Sequence, residues 1–164
     1  MRRTRLSFFT GLLLTVAATG IQAQQHQPIK WHVTAVSMSD RVAKLIFTAN
    51  LEDGWHIYSQ FIDEGGPLPT TFTFIPDHSY SLKGKVKEES TPVKQFDAVF
   101  LMNIAWYEDT VVFSQEVKLN GPTTTIKGKV EFMGCNNFMC LLPDEEGFSV
   151  EVKEAREKKN NKGK

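Results

Sequence analysis

The sequence predicts an all-β fold, two antiparallel sheets packed as a sandwich, on three observations. Apolar and polar residues alternate with a period of two through most of the chain beyond residue 28, the pattern of half-buried pleated strands. Turn signals recur at short intervals: Ser39-Asp40, Glu52-Asp53-Gly54, Pro76-Asp77, Glu108-Asp109, Asn120-Gly121-Pro122 and Glu146-Gly147. No segment of the same region holds helical periodicity over three turns, and short strands between frequent turns are the sandwich signature.

Taken in order, Ile29 to Met38 reads as a first strand with Trp31, Val33 and Ala35 on one face. Arg41 to Ala49 returns with Val42, Leu45 and Phe47. Trp55 to Ser59 is a short strand with aromatic side chains on both faces. Thr70 to Ile75 alternates Phe72 and Phe74 against threonines, which suits a pleat with one wet face. Val99 to Ala105, Thr110 to Leu119, Thr123 to Met133 and Phe148 to Val152 complete a set of about nine short strands. The longest stretch without strand character, Gln60 to Pro69, contains Gly65-Gly66-Pro67-Leu68-Pro69. Such a stiff, bent loop either positions a neighbour or is plain punctuation.

Met1 to Ala23 is different in kind. Arg2, Arg3 and Arg5 precede an uncharged apolar run from Leu6 to Ala18, and Ile21-Gln22-Ala23 ends in a small residue. This is the pattern of a cleaved export signal. The apolar run is shorter than the roughly 20 residues of a spanning helix, so a stable membrane anchor is not expected. Cleavage leaves 141 of the 164 residues, enough for one domain from residue 24 to residue 152. It also removes three of the nineteen basic residues while leaving all nineteen acids, for a net charge near −3. With no basic stripe on the domain, nucleic-acid binding is not expected. Lys153 to Lys164, with six basic and two acidic residues, reads as a solvated, disordered tail.

The chain has two cysteines, Cys135 and Cys140, in Phe132-Met133-Gly134-Cys135-Asn136-Asn137-Phe138-Met139-Cys140-Leu141-Leu142-Pro143. In an oxidising compartment they can pair. They flank what reads as a hairpin loop, where opposed positions lie about 4.5 to 5.5 Å apart, within a disulfide's span. A bridge closing so short a loop contributes roughly 2 kcal/mol in the chain-entropy model, against almost 5 for a hundred-residue loop. A cystine that stabilises so little is a candidate for one that reacts, although small exported domains also use such bridges structurally. The predicted fold supplies no helix N-terminus to activate a thiolate, and Asp144, Glu145 and Glu146 follow closely, so the pair on its own is a slow nucleophile. Met133 and Met139 with the two cysteines would be soft ligands for Cu(I). However, Met133 continues an alternating strand and Met139 is more simply a core filler. Four zinc ligands are not in view. No metal or cofactor is expected.

These residues resemble a known family, the N-terminal periplasmic domain of the thiol:disulfide interchange protein DsbD. The resemblance rests on Gly54-Trp55-His56-Ile57-Tyr58-Ser59, Gly65-Gly66-Pro67-Leu68-Pro69-Thr70, Phe72-Thr73-Phe74, Phe96-Asp97, Tyr107-Glu108-Asp109-Thr110-Val111, and Glu131 to Cys135 with Cys140-Leu141-Leu142-Pro143. It implies an immunoglobulin-like sandwich with the cysteines on a hairpin. It also implies an electron-relay thiol–disulfide oxidoreductase, reduced by a thioredoxin-like or membrane-embedded donor and reducing oxidised periplasmic proteins, cytochrome c biogenesis included. In the family the second cysteine makes the mixed disulfide, here Cys140, and the first, here Cys135, resolves it. An aromatic cap covers the disulfide between encounters. Its counterpart falls in the region Gln95 to Phe100, with Phe96 as the shield and Asp97 beside it, while His56 and Tyr58 border the site. Leu142 departs from the family's paired prolines, and the four-residue spacer is one shorter than in enterobacterial members. A single domain without a fused transporter would draw on a donor carried by a separate polypeptide. The competing reading is a non-catalytic immunoglobulin-like interaction domain whose cystine is structural; a Cu(I)-handling protein stands behind it.

Overall fold

A computed structural model describes residues 26–98 and 100–155. The export-signal reading of residues 1–23 lies outside them, as does most of the expected tail. The strands are β1 (Ile29–Ser39), β2 (Val42–Leu51), β3 (His56–Tyr58), β4 (Thr71–Phe74), β5 (Tyr80–Glu88), β6 (Val93–Asp97), β7 (Met102–Glu108), β8 (Thr110–Leu119), β9 (Thr123–Phe132), β10 (Gly134–Cys135) and β11 (Asp144–Lys153). All pair antiparallel, and no helix occurs among the described residues.

One layer is the sheet β1-β2-β8-β5. The other is built from β11-β9-β4 and β10-β3-β7-β6. Strand alternation sends Ala43, Leu45, Phe47 and Ala49 of β2 and Val111, Phe113 and Val117 of β8 into the space between layers, where all are buried. Phe47 is the centre of the contact. Its ring lies 4.9 Å from Phe72, 6.1 Å from Phe74 and 5.0 Å from Phe148, all on the opposite layer. Trp31, Val33 and Ala35 pack on this core as the alternation of β1 requires. The result is an immunoglobulin-like antiparallel sandwich.

Several boundaries differ from expectation. β5 and β6 have no counterpart in the sequence reading, because both are edge strands with little to bury. The lysines at 83, 85 and 87 on β5 keep that edge from pairing with another chain. The pairing of β5 with β8 slips between Lys83 and Lys87, where Gly84 takes a φ of +73°. The buried Gln115 amide secures this bulge by donating to the carbonyl of Lys83 at 3.1 Å. Of the strand expected over residues 99–105, residue 99 lies outside the described residues, residues 100–101 form a turn, and residues 102–105 belong to β7. Glu146-Gly147 is not a turn: both residues lie inside β11, paired with Val130 and Lys129 of β9. The strand expected to begin at Phe148 therefore begins at Asp144, directly after the cysteine segment. Lys153, expected in the tail, is the last residue of β11.

Two features position the site. Ile57 of β3 and Tyr107 of β7 are register partners and point into the main core. Their neighbours His56, Tyr58 and Trp106 therefore stand on the outer face of that sheet. The second feature is the β9–β11 hairpin, which runs from Thr123↔Lys153 to Phe132↔Asp144. Residues 133–143 are its extended tip, and the tip folds across to add β10 beside β3.

Candidate functional site

The tip is a hairpin within a hairpin. Cys135 and Cys140 form an antiparallel bridge and a disulfide, with Cα atoms 4.0 Å apart. Leu141 N–H donates to the Gly134 carbonyl at 2.9 Å and Asn136 N–H to the Met139 carbonyl at 2.9 Å. The turn between them is held by one side chain: Asn136 Oδ1 accepts the N–H groups of Phe138 and Met139, each at 2.9 Å. Asparagine does this readily because its short amide reaches its own backbone two residues on. An Asn136→Ala variant should lose both bonds, at roughly 0.5–1.5 kcal/mol each. The expected result is about tenfold faster hydrogen exchange at the Phe138 and Met139 amides, with the melting temperature of the whole domain almost unchanged. Unchanged exchange at those two amides would refute the turn's dependence on Asn136.

The two cysteines have unequal surroundings. Cys135 is 1% exposed and packs in a small cluster with Tyr58 and Ile104, flanked by Ile62, Met102, Trp106 and Met133. Cys140 is exposed, on the outer arm of the hairpin. Beside it Phe138 is 95% exposed, and Met139, expected as core filler, is exposed too. The tip's turn projects beyond the sheet, so its apolar residues have nothing to pack on.

An open groove of about 570 Å³ runs along the disulfide. Its floor is His56 and Tyr58 of β3 with Ile104 and Trp106 of β7, one wall is the cysteine tip, and the other is Gln95, Asp97 and Phe100. His56 Nε2 lies 3.3 Å from Tyr58 Oη, and its ring is 5.8 Å from that of Trp106. Burial lowers the His56 pKa below the ordinary imidazole value, against an upward pull from Glu108, so the ring is neutral at pH 7. Burial, aided by the Asp97 charge, raises the Tyr58 pKa and keeps that hydroxyl protonated. Glu108 Oε1 in turn accepts the Trp106 indole N–H at 3.1 Å.

Cys135, Cys140, His56, Tyr58 and Asp97 therefore line one groove. Phe96 does not join them. Gln95 and Asp97 face the groove, so strand alternation turns Phe96 to the other face of β6, where it is 57% exposed. The aromatic ring in the expected cap region that lines the groove is Phe100. It sits in the β6–β7 turn, where Asp97 Oδ1 accepts the Phe100 N–H at 3.1 Å and Leu101 takes a φ of +55°. The sequence signal that could have found Phe100 is the β6–β7 hairpin itself, hidden because β6 is a short polar edge. Trp106 was likewise missed as a site residue. The acidic run is not part of the groove: Asp144, Glu145 and Glu146 leave along β11, and Lys129 bridges Glu145 at 2.7 Å and Glu131 at 3.2 Å.

One residue of the cystine is buried and the other lies at the surface. The fold and site thus define a β-sandwich domain that presents a disulfide at a hairpin tip. Comparison with known proteins gives this class its name. The family model described as thiol:disulfide interchange protein DsbD, N-terminal, matches residues 22–152, and the chain belongs to that family. Among solved structures, the N-terminal periplasmic domain of ScsB from Proteus mirabilis is similar in fold. It has a TM-score of 0.56 at 18% identity, and the match covers 81% of this chain and 49% of that one. The chain thus spans about half the length of that structure. The DsbD N-terminal domain of Neisseria meningitidis in its reduced form aligns at a TM-score of 0.48 and 16% identity, over 75% of this chain and 90% of that one. No curated protein matches the chain.

Proposed function

We propose that this protein is a periplasmic electron-relay domain, shuttling between a Cys135–Cys140 disulfide and a dithiol. The single observation that carries the reading is the unequal exposure of the pair, 1% for Cys135 against a surface position for Cys140. In the receiving half-reaction a thiolate of a thioredoxin-like or membrane-embedded donor attacks Cys140 Sγ, and Cys135 leaves. The donor's second thiol then resolves the mixed disulfide, so the pair gains two electrons and two protons. In the delivering half-reaction Cys140 thiolate attacks a disulfide of an oxidised periplasmic protein. Cys135 then attacks Cys140 Sγ, reforming the cystine and releasing the substrate as a dithiol.

Several features support docking as the source of rate. No lysine or arginine lines the groove among the described residues, so the site itself has little to activate a thiolate. Phe138 and Met139 on the tip and Phe100 and Leu101 on the facing turn are exposed apolar side chains that a partner's surface would cover. Periplasmic residence rests on the export-signal pattern of residues 1–23 and on the family.

The reduction potential of the cystine tests the proposal, measured by equilibration with glutathione and dithiothreitol buffers. A relay is expected in the range of exchange proteins, about −120 to −270 mV. A potential well below about −300 mV, typical of structural bridges, would sink the relay and favour the interaction-domain reading.

A further inference from the structure

Resting on the relay just proposed, we infer that His56 is the general base that takes the Cys135 proton when this cysteine resolves a mixed disulfide on Cys140. Cys135 is 1% exposed, in a cluster of apolar side chains. A thiol in such surroundings is reluctant to ionise, and bulk water is poorly placed to take its proton. Resolution nevertheless needs the thiolate. The proton must pass to a group inside the groove.

The register places His56 there. Cys135 and His56 are directly opposed on β10 and β3. Opposed residues of an antiparallel pair share a face, with Cβ atoms about 4.5–5.5 Å apart. Both line the groove. In the tautomer whose Nε2–H donates to Tyr58 Oη, 3.3 Å away, Nδ1 is the ring nitrogen left to accept. The ring is already neutral at pH 7 because burial outweighs Glu108.

The other titratable groups facing His56 are worse placed or in the wrong state. Tyr58 keeps its proton, since burial and Asp97 both raise its pKa. Asp97 stands on β6, three strands from β10 in the sheet order. Glu108, opposite His56 on β7, is exposed and holds the Trp106 indole. Its charge steadies the imidazolium once formed. The Cys135 S–H proton moves to Nδ1, the new S–S bond forms between Cys135 and Cys140, and the Cys140–partner S–S bond breaks. The partner's sulfur leaves with the electron pair and takes the proton from the imidazolium.

The test uses the reduced protein and 5,5′-dithiobis(2-nitrobenzoate), followed by stopped flow at 412 nm. Cys140 releases a first equivalent of coloured thiolate, and Cys135 releases the second as it closes the disulfide. The second phase in the native protein should fall as pH drops through the His56 pKa, which lies below 6.5, because only the neutral ring accepts a proton. His56→Gln should leave the first phase intact and slow the second about 100-fold at pH 7. Its second phase should then climb with pH through the thiol range, since only pre-ionised Cys135 reacts. His56→Ala should recover the second phase on addition of imidazole, an effect that a merely structural histidine would not produce. A His56→Gln second phase within twofold of native, with the native pH profile, overturns the inference and leaves the relay standing. A native protein that releases one equivalent and never closes its disulfide overturns both.

Discussion

A Cys135→Ala variant should accumulate a stable mixed disulfide through Cys140 when mixed with an oxidised protein substrate or glutathione disulfide, whereas Cys140→Ala should capture almost none. Both variants should lose catalytic turnover altogether, because each half-reaction needs an attacking and a resolving sulfur. The asymmetry follows from the hairpin. Asn136 bends residues 136–139 outward and leaves Cys140 on the exposed arm, while β10 presses Cys135 against β3 beneath Tyr58 and Ile104. An incoming sulfur must align with the S–S axis, and Cys140 is the exposed residue of the pair. Non-reducing electrophoresis with mass spectrometry of the adduct reads the result directly. Equal capture by both cysteines would refute the assigned order.

The largest expected loss of stability comes from a residue far from the cystine. Phe47→Ala should cost about 3–5 kcal/mol in urea denaturation, with a fall of at least about 10 °C in melting temperature. Phe47 is fully buried, and its ring meets Phe72, Phe74 and Phe148 across the sandwich, so truncation leaves a cavity that three rigid rings cannot collapse to fill. Reducing the disulfide of the unaltered protein should cost less, roughly 2 kcal/mol, since the loop it closes spans only five residues in sequence separation. The two measurements side by side separate what holds the fold from what exchanges electrons. A reduction cost exceeding that of Phe47→Ala would mark the bridge as structural.

The strands that bury a face were legible. Thr110 to Leu119 was read with its observed bounds, and β1, β2 and β9 to within two residues at each end, because each sends alternate apolar side chains into the core. The cysteine hairpin was legible from its shoulders. β5 and β6 were not, since edge strands carry lysines and polar residues whose pairing is backbone hydrogen bonding that composition does not report. The exchange of Phe96 for Phe100 is a consequence: once β6 continues to Asp97, a shift of one residue reverses the face that a side chain occupies.

By itself the sequence determined an all-β sandwich, the pair Cys135 and Cys140 on a tight hairpin, and a family resemblance that the family match bears out. These are local patterns, written in periods of two and in spacings of a few residues. Only the tertiary structure decided that Cys135 is buried and Cys140 offered, that His56 stands opposite Cys135, and that Phe100 lines the groove. Those facts depend on which strands become neighbours across separations of up to about eighty residues. Pairing at that range is set by the closure of the whole core rather than by any one segment.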